Sequence, residues 1–384
     1  MGRGPSSLRR VPWWALLLAC VCACHTAEPP GETAVAAGLS VAQALGGSST
    51  EGFLRASEVR EFVFPRDHGP HPGYRTEWWY FTGNLQAAND RRFGFQLTLF
   101  RHELKPGQSE RDSNWAADEI YMGHFALTDV GDDEFFAFER FSRAAMGLAG
   151  AQATPLEVWL EDWRVEQAGS FPEDAQLMPP LRLVAASGSV SIDLRLSATK
   201  PLVLQGDRGL SQKSADPGNA SYYYSATRMQ AEGELVVSGR QHAVRGTAWL
   251  DREWSTSALG TDQVGWDWFA LQLENDTELM FYRLRRRDGS TDPFSAGTLV
   301  RPDGSARRLE VADVELDVTD RWESPRGGRY PAGWRMRVAA EQLELVVAPQ
   351  LADQELDVTV RYWEGAVSVR GKLDGEPVRG VGYV

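Results

Sequence analysis

From residue 58 onward, hydrophobic and polar positions alternate along most of the chain, and no stretch of convincing length carries the 3.6-residue period of a helix. In Arg91–Arg101, Phe93, Phe95, Leu97 and Leu99 share one face while Gln96 and Thr98 share the other, which predicts a half-buried strand. It follows Glu77–Leu85 across Gln86–Asp90, a loop of hairpin length. Tyr121–Val130 and Phe135–Arg143 flank Gly131-Asp132-Asp133-Glu134, a second hairpin signal. Further strands are predicted at 156–167, 180–187, 189–198, 221–231, 233–240 and 242–250. A second series begins at Gly265, where Trp266–Glu274 and Thr277–Arg287 flank Asn275-Asp276. Gly297–Arg301 and Ser305–Leu309 then flank Pro302-Asp303-Gly304, and strands follow at 313–319, 333–340, 342–347, 355–362, 364–371 and 376–384. Many short strands joined by Asn, Asp and Gly turns imply an all-β chain of antiparallel barrels or sandwiches. Two runs of them suggest two barrels in series, with the boundary in the polar connection Leu250–Gly265. The first barrel is placed at 58–252 and the second at 253–384.

A chain of 384 residues exceeds one ordinary core, which agrees with two domains. Its net charge of −13 offers no basic stripe for phosphate, so nucleic acid is not an expected partner. The N-terminus differs from the rest. Arg3, Arg9 and Arg10 precede the short apolar run Trp13–Cys22, and residues 1–24 read as an export signal too short to span a bilayer. The three cysteines, Cys20, Cys22 and Cys24, all fall there. Leu17-Leu18-Ala19-Cys20 resembles a bacterial lipobox, with Val21-Cys22-Ala23-Cys24 as the alternative. Lipid attachment at Cys20, or at Cys24, would make the protein a membrane-anchored lipoprotein of the bacterial cell envelope, facing the periplasm. Residues 25–57, beginning with a run rich in Ala, Gly, Ser and Pro, read as a flexible tether. The remainder has no cysteine, which excludes disulfides and thiolate catalysis there.

Aromatic residues carry the first chemical hint. Trp78 and Tyr80 share one face of their strand, and Trp79 and Phe81 share the other. Trp266 and Trp268 repeat the arrangement, and Tyr222-Tyr223-Tyr224 adds a cluster. Such rings fill barrel cores, or they line a cavity for an extended apolar ligand. His68 and His71 lie three apart beside Asp67 and Glu77, and His102 and His124 lie on neighbouring strands. Pro65, Gly69, Pro70, Pro72 and Gly73 forbid the helix that would converge His68 and His71 on a metal, so no metal is expected. Asp251 precedes Trp254, and Asp267 lies between Trp266 and Trp268. A carboxyl beside indole rings is desolvated, stays protonated towards neutral pH and can donate a proton to an alkene or carbonyl. Equally, Asp251 could pair with Arg252, or Glu253 with an arginine, and close the junction. No GxGxxG, P-loop, GxSxG, HExxH or CxxC pattern occurs, so no cofactor is expected.

His68-Gly69-x-His71 followed by Thr76-Glu77-Trp78-Trp79-Tyr80-Phe81-Thr82-Gly83 resembles the AttH-like, carotenoid 1,2-hydratase (hydroxyneurosporene synthase) family. The likeness continues through Tyr121-x-x-His124-Phe125-Ala126-Leu127-Thr128-Asp129, Glu139–Arg143, Gly246-x-Ala248-Trp249-x-Asp251-x-Glu253-Trp254-Ser255 and Gly265–Phe269, spanning about residues 60–384. The resemblance implies tandem lipocalin-like barrels and a cofactor-independent addition of water to an isoprenoid double bond. Asp251 or Asp267 would then be the proton donor, and Trp254, Trp266 and Trp268 would face the tertiary cation. Trp78, Trp79, Tyr80, His68, His71 and His124 complete the candidate ligand-binding set. One position departs from the pattern: Arg252 stands where the hydratases carry a histidine. The family also holds exported members that bind ligands or resemble partners of ABC-type transporters. The leading expectation is therefore a membrane-tethered protein that binds a hydrophobic small molecule or lipid. A carotenoid 1,2-hydratase-type enzyme is the alternative, and an accessory scaffold of an envelope ABC transporter the third reading.

Overall fold

The computed structural model describes residues 1–2, 50–107, 117–174, 176–257, 259–260 and 262–384. The signal-like segment, Cys20 and Cys24, and most of the tether lie outside the described residues. Two antiparallel sheets account for most of the rest. Their hairpins turn on residues that accept a left-handed backbone, with Asp90, Asp133 and Asp276 at φ of 61°, 53° and 59°.

The first sheet starts at Glu134–Arg143 and runs in space through Glu119–Asp129, Arg92–Glu103, Thr76–Ala87, Arg240–Ser255 and Ala220–Val237. It continues through Val190–Ala198, Leu181–Ser187, Trp163–Gln167 and Leu156–Leu160 to Ala149–Ala153. The two end strands are consecutive in sequence and joined through the 3-10 turn Ala145–Gly147, so the sheet curls into a nearly closed barrel. Across the seam Phe125 meets Trp163 edge-on, with ring centres 5.8 Å apart. The second sheet runs from Ala306–Glu310 through Ala296–Val300, Glu278–Arg286, Gln263–Leu273, Glu376–Tyr383, Ala366–Leu373, Leu343–Pro349 and Arg329–Val338 to Glu315–Glu323. It forms a half-barrel, and the chain is two tandem barrels as its turn spacing implied.

Several elements differ from the sequence expectation. The three strands expected over 221–250 are two long ones, Ala220–Val237 and Arg240–Ser255, turning at Ser238 and Gly239. Gly233 lies inside the first of them. A Cβ there would sit 2.1 Å from the Asp193 carbonyl oxygen, so the glycine serves close strand approach. The segment 156–167 divides at Glu161, whose φ is 58°. Residues 355–362 do not form a strand; Glu355–Leu356 pairs with Tyr362–Trp363 as a separate small ladder. Ala149–Ala153, too poor in contrast to alternate, went unpredicted.

Arg92–Glu103 also departs from the half-buried pattern. Phe93, Phe95, Leu97 and Leu99 enter the first core, yet Gln96 and Thr98 on the opposite face are equally buried. The reason is that the outer face of the first sheet is covered by the second. Gly94 permits this approach, because a Cβ there would lie 2.5 Å from the Ala366 Cβ. Gln272 fastens the two sheets by donating from Nε2 to the carbonyls of Thr227 (2.8 Å) and Ala248 (3.0 Å). The strand Arg240–Ser255 stays in the first sheet to its end, and the second sheet begins at Gln263.

The loop before Thr76 docks on a buried ionic cluster. Glu77 is fully buried, receives a hydrogen bond from the His71 backbone N–H (3.0 Å), and pairs with Arg101 (2.9 Å) and Arg252. Arg101 also meets Glu103 and Glu119, while Arg252 lies 3.9 Å over the Trp79 ring and donates to the Gly69 carbonyl (2.6 Å). Burial opposes the charge on Glu77, but the two guanidiniums outweigh it and hold the carboxyl well below its usual range. The stability this lends is complete above the unfolded value of roughly 4.3 and is lost as pH falls towards the folded one. We therefore expect Glu77→Gln, which strands buried guanidinium charge, to lower the unfolding free energy at neutral pH by about 3–5 kcal/mol. It should also flatten the acid limb of the stability curve. Urea unfolding at neutral and acid pH measures both, and an unchanged midpoint would remove the cluster from the account.

Candidate functional site

Between the two sheets lies a cavity of about 230 Å³. Trp78, Tyr80, Phe100, Tyr223, Asp251 and Glu253 line it from the first sheet. The later part of the chain contributes Trp266, Asp267, Trp268, Tyr362, Trp363 and Glu364, among others. Strand alternation decides which rings arrive here. Trp79 and Phe81 point into the first core, while Trp78 and Tyr80, on the opposite face, point into the cavity. The apolar ligand space suggested by the aromatic pattern is thus between the barrels, and the interior of the first barrel is packed with its own side chains.

Cross-strand register builds the polar part of the site. Ser225 pairs with Asp251, Asp251 with Tyr80, Tyr80 with Thr98, Thr98 with His124, and His124 with Glu139. Directly paired residues share a face, so these six form one row across six strands. Asp251 is buried at its inner end. Its Oδ1 accepts hydrogen bonds from Ser225 Oγ (2.5 Å) and Trp249 Nε1 (2.7 Å), and its Oδ2 accepts one from the Tyr223 hydroxyl (2.7 Å). Burial drives this carboxyl up and the three donors restrain it, leaving it at about 6. Trp268 Nε1 donates to the Tyr223 hydroxyl at 3.4 Å, so the indole and the acid share one phenol.

Opposite this row stands Glu364. It lines the cavity and is half-buried. One oxygen accepts a hydrogen bond from the Tyr80 hydroxyl at 2.6 Å. Burial raises its carboxyl and the Tyr80 bond alone restrains it, leaving it at about 8. At neutral pH Glu364 is therefore mostly a neutral acid with an oxygen free of Tyr80 to carry the proton. Sequence reading missed Glu364. Its signal was Tyr362-Trp363-Glu364-Gly365, an acid beside adjacent rings like those at Asp251 and Asp267, hidden in a segment read as strand.

The other predicted residues divide. Trp78, Tyr80, Asp251, Trp266, Asp267 and Trp268 are brought together in the cavity wall. Asp267, however, accepts from Arg283 Nε (2.8 Å) and Nη2 (2.5 Å) and lies near Arg285 (3.6 Å), so its oxygens are occupied by guanidiniums. Trp79 and Trp254 are fully buried away from the cavity, because their positions place them on the inner side of the sheet. Trp79 donates to the His68 carbonyl (2.9 Å), and Trp254 stacks on the His71 ring at 3.7 Å. His68 is buried against Tyr224 (2.8 Å), where burial and then Arg252 lower it to about 3. His68 and His71 thus brace the loop and do not line the cavity. His124 lies behind the wall, bonded to Tyr362, and Glu253 sits 3.3 Å from Lys213. The alternative pairing of Asp251 with Arg252 does not form, since neighbours in a strand point to opposite faces.

An aromatic cavity with two carboxyls that change charge near neutral pH can give and take protons, and its indole faces can stabilise a carbocation. A family described as AttH-like matches residues 55–384. A crystal structure of a Nitrosomonas europaea protein described as AttH is 30% identical with a TM-score of 0.74, over 86% of this chain and 98% of that one. Kievitone hydratase from Nectria haematococca shares the fold, at 17% identity and a TM-score of 0.63, over 86% of this chain and 96% of that one. Among curated proteins none matches the chain. Because the Tyr80 hydroxyl is what restrains Glu364, Tyr80→Phe should push the Glu364 carboxyl above about 8. Infrared titration of the carboxylic-acid band reads the shift; a downward move would contradict the assignment.

Proposed function

The chain belongs to the AttH-like family, and from that premise we propose that its cavity takes the unsaturated end of an isoprenoid-like hydrocarbon and adds water to the double bond. The observation that carries this reading is the pair Glu364 and Asp251, two carboxyls in one aromatic cavity held at about 8 and about 6. Environments that separate two acids in this way assign them different parts. Glu364 is the proton donor: its O–H bond breaks as a C–H bond forms on the less substituted alkene carbon. The tertiary cation left on the neighbouring carbon faces Trp78, Trp266 and Trp268. Water attacks that carbon, and its released proton goes to Asp251, directly or through the Tyr223 hydroxyl. Every donor around Asp251 points towards its oxygens, which suits a carboxylate that accepts a proton better than the donor role suggested by the sequence. Asp267, bound by Arg283, anchors the wall beneath the tryptophans.

Arg252 carries no part in this chemistry. It points to the inner face, so its departure from the hydratase pattern leaves the cavity unaltered. The name of kievitone hydratase, a protein of the same fold, is in keeping with water addition as the reaction class.

The rate should be bell-shaped in pH. It falls below about 6 as Asp251 gains a proton and above about 8 as Glu364 loses one. Glu364→Gln and Asp251→Asn should each reduce kcat by about 100-fold or more with a lycopene-type probe. If the probe binds but neither acid affects product formation, the assignment fails; if it binds and no product forms, the protein is a binder. On the same reading the protein is tethered to an envelope membrane through Cys20. Cys20→Ala should move it from the membrane to the soluble fraction, and retention in the membrane fraction would count against that anchor.

A further inference from the structure

Addition of water leaves Glu364 ionised inside a cavity walled by indole rings, and it must regain a proton before another turnover. The row of paired strands that holds Asp251 and Tyr80 continues outward through Thr98 and His124 to Glu139 on the end strand Glu134–Arg143. His124 is fully buried, yet both of its ring nitrogens are engaged. Nδ1 lies 2.7 Å from the Tyr362 hydroxyl, and Nε2 lies 3.1 Å from Glu139 Oε1. Tyr362 lines the cavity two residues before Glu364. At the other end, Glu139 keeps a side-chain exposure of 14%, and its Oε2 accepts from the hydroxyl of exposed Thr359 at 2.5 Å.

We propose that Glu139, His124 and Tyr362 form a proton path between solvent and the cavity. Burial raises the Glu139 carboxyl, but its bonds with His124 and Thr359 hold it below its usual range. On the inward passage it therefore takes a proton from water only in transit and passes it to Nε2 of His124, which starts as the Nδ1–H tautomer. The Nδ1 proton passes to the Tyr362 oxygen, and the Tyr362 hydroxyl proton is released into the cavity that Glu364 also lines. Glu139 is left ionised, and rotation of the imidazole restores the Nδ1–H tautomer. The proton that Asp251 took from the attacking water returns to solvent, so no net proton, oxidant or reductant is consumed. Imidazole suits the central place because it accepts on one nitrogen and releases from the other. Phe100 packs edge-on against the His124 ring, with centres 5.5 Å apart, and Thr98 is its paired neighbour. Neither titrates, so among the described residues the groups of this path facing the imidazole that exchange protons are Tyr362 and Glu139. These three residues act on the reaction through Glu364 and do not touch the reacting carbons.

The path rests on the proposed role of Glu364 only in its last acceptor, and its test needs no substrate. In ligand-free protein, a downward pH jump across the Glu364 titration should produce the carboxylic-acid infrared band, whose growth reports re-protonation. Glu364→Gln identifies that band by its loss. His124→Gln keeps a hydrogen-bond donor and acceptor at the same place but cannot relay a proton, so a bracing role would leave the rate unchanged. We expect the band to grow about 10-fold or more slowly in His124→Gln and in the less buried variant Glu139→Gln. Wild-type rates in both variants overturn the path. Slowed band growth together with absent hydration would retain the path and reject the hydratase reading.

Discussion

The register of six antiparallel strands is the constraint on which the site depends. Paired positions in a sheet share a face, so once Asp251 stands opposite Tyr80, the whole line from Ser225 to Glu139 is fixed on the outer side of the first barrel. A slip of one residue would send Asp251, Tyr80 and His124 into the hydrophobic core and turn Arg252, Trp79 and Phe125 outward. The same register supplies the inner face, where Glu77, Arg101 and Arg252 hold the loop that carries His68 and His71. One side of the sheet is therefore structural and the other is available for chemistry.

Double-sided burial follows from that division. An antiparallel strand with a solvated outer face would show polar residues there. Here the outer face carries Trp78, Tyr80, Phe100 and Tyr223 because the second sheet covers it. The covering sheet also shapes the energetics of the acids. Glu364 arrives from the loop between Leu343–Pro349 and Ala366–Leu373 and meets the Tyr80 hydroxyl from across the interface. Enclosure by both barrels desolvates each carboxyl, and the number of donors around it sets how far it rises: three at Asp251, one at Glu364.

The fold was legible because alternation and turn residues are local signals. Arg92–Glu103, Glu119–Asp129 and the hairpin after Gln263–Leu273 appear where the pattern places them. The joint expected between 221–231 and 233–240 is continuous strand, because Gly233 fits against Asp193 of the neighbouring strand, a contact the local pattern does not reveal. The site was legible in part for the same reason. Trp78, Tyr80, Asp251, Trp266, Asp267 and Trp268 do meet, since motifs rich in rings and acids mark the cavity wall. What a single strand cannot reveal is which face meets which partner. That choice separates Trp79 from Trp78, gives Arg283 to Asp267, and hides Glu364 in a loop whose role depends on a strand more than 280 positions away in sequence.

The central claim is that the interface between the barrels protonates an alkene and takes up the proton of the water that adds to it. Isotopic analysis of the product tests it most directly. With a lycopene-type probe in deuterated, oxygen-18-labelled water, the account predicts an alcohol with one new carbon-bound deuterium and one oxygen-18 on the adjacent carbon. Recovery of the probe unlabelled and unchanged from a protein that demonstrably binds it would contradict the account.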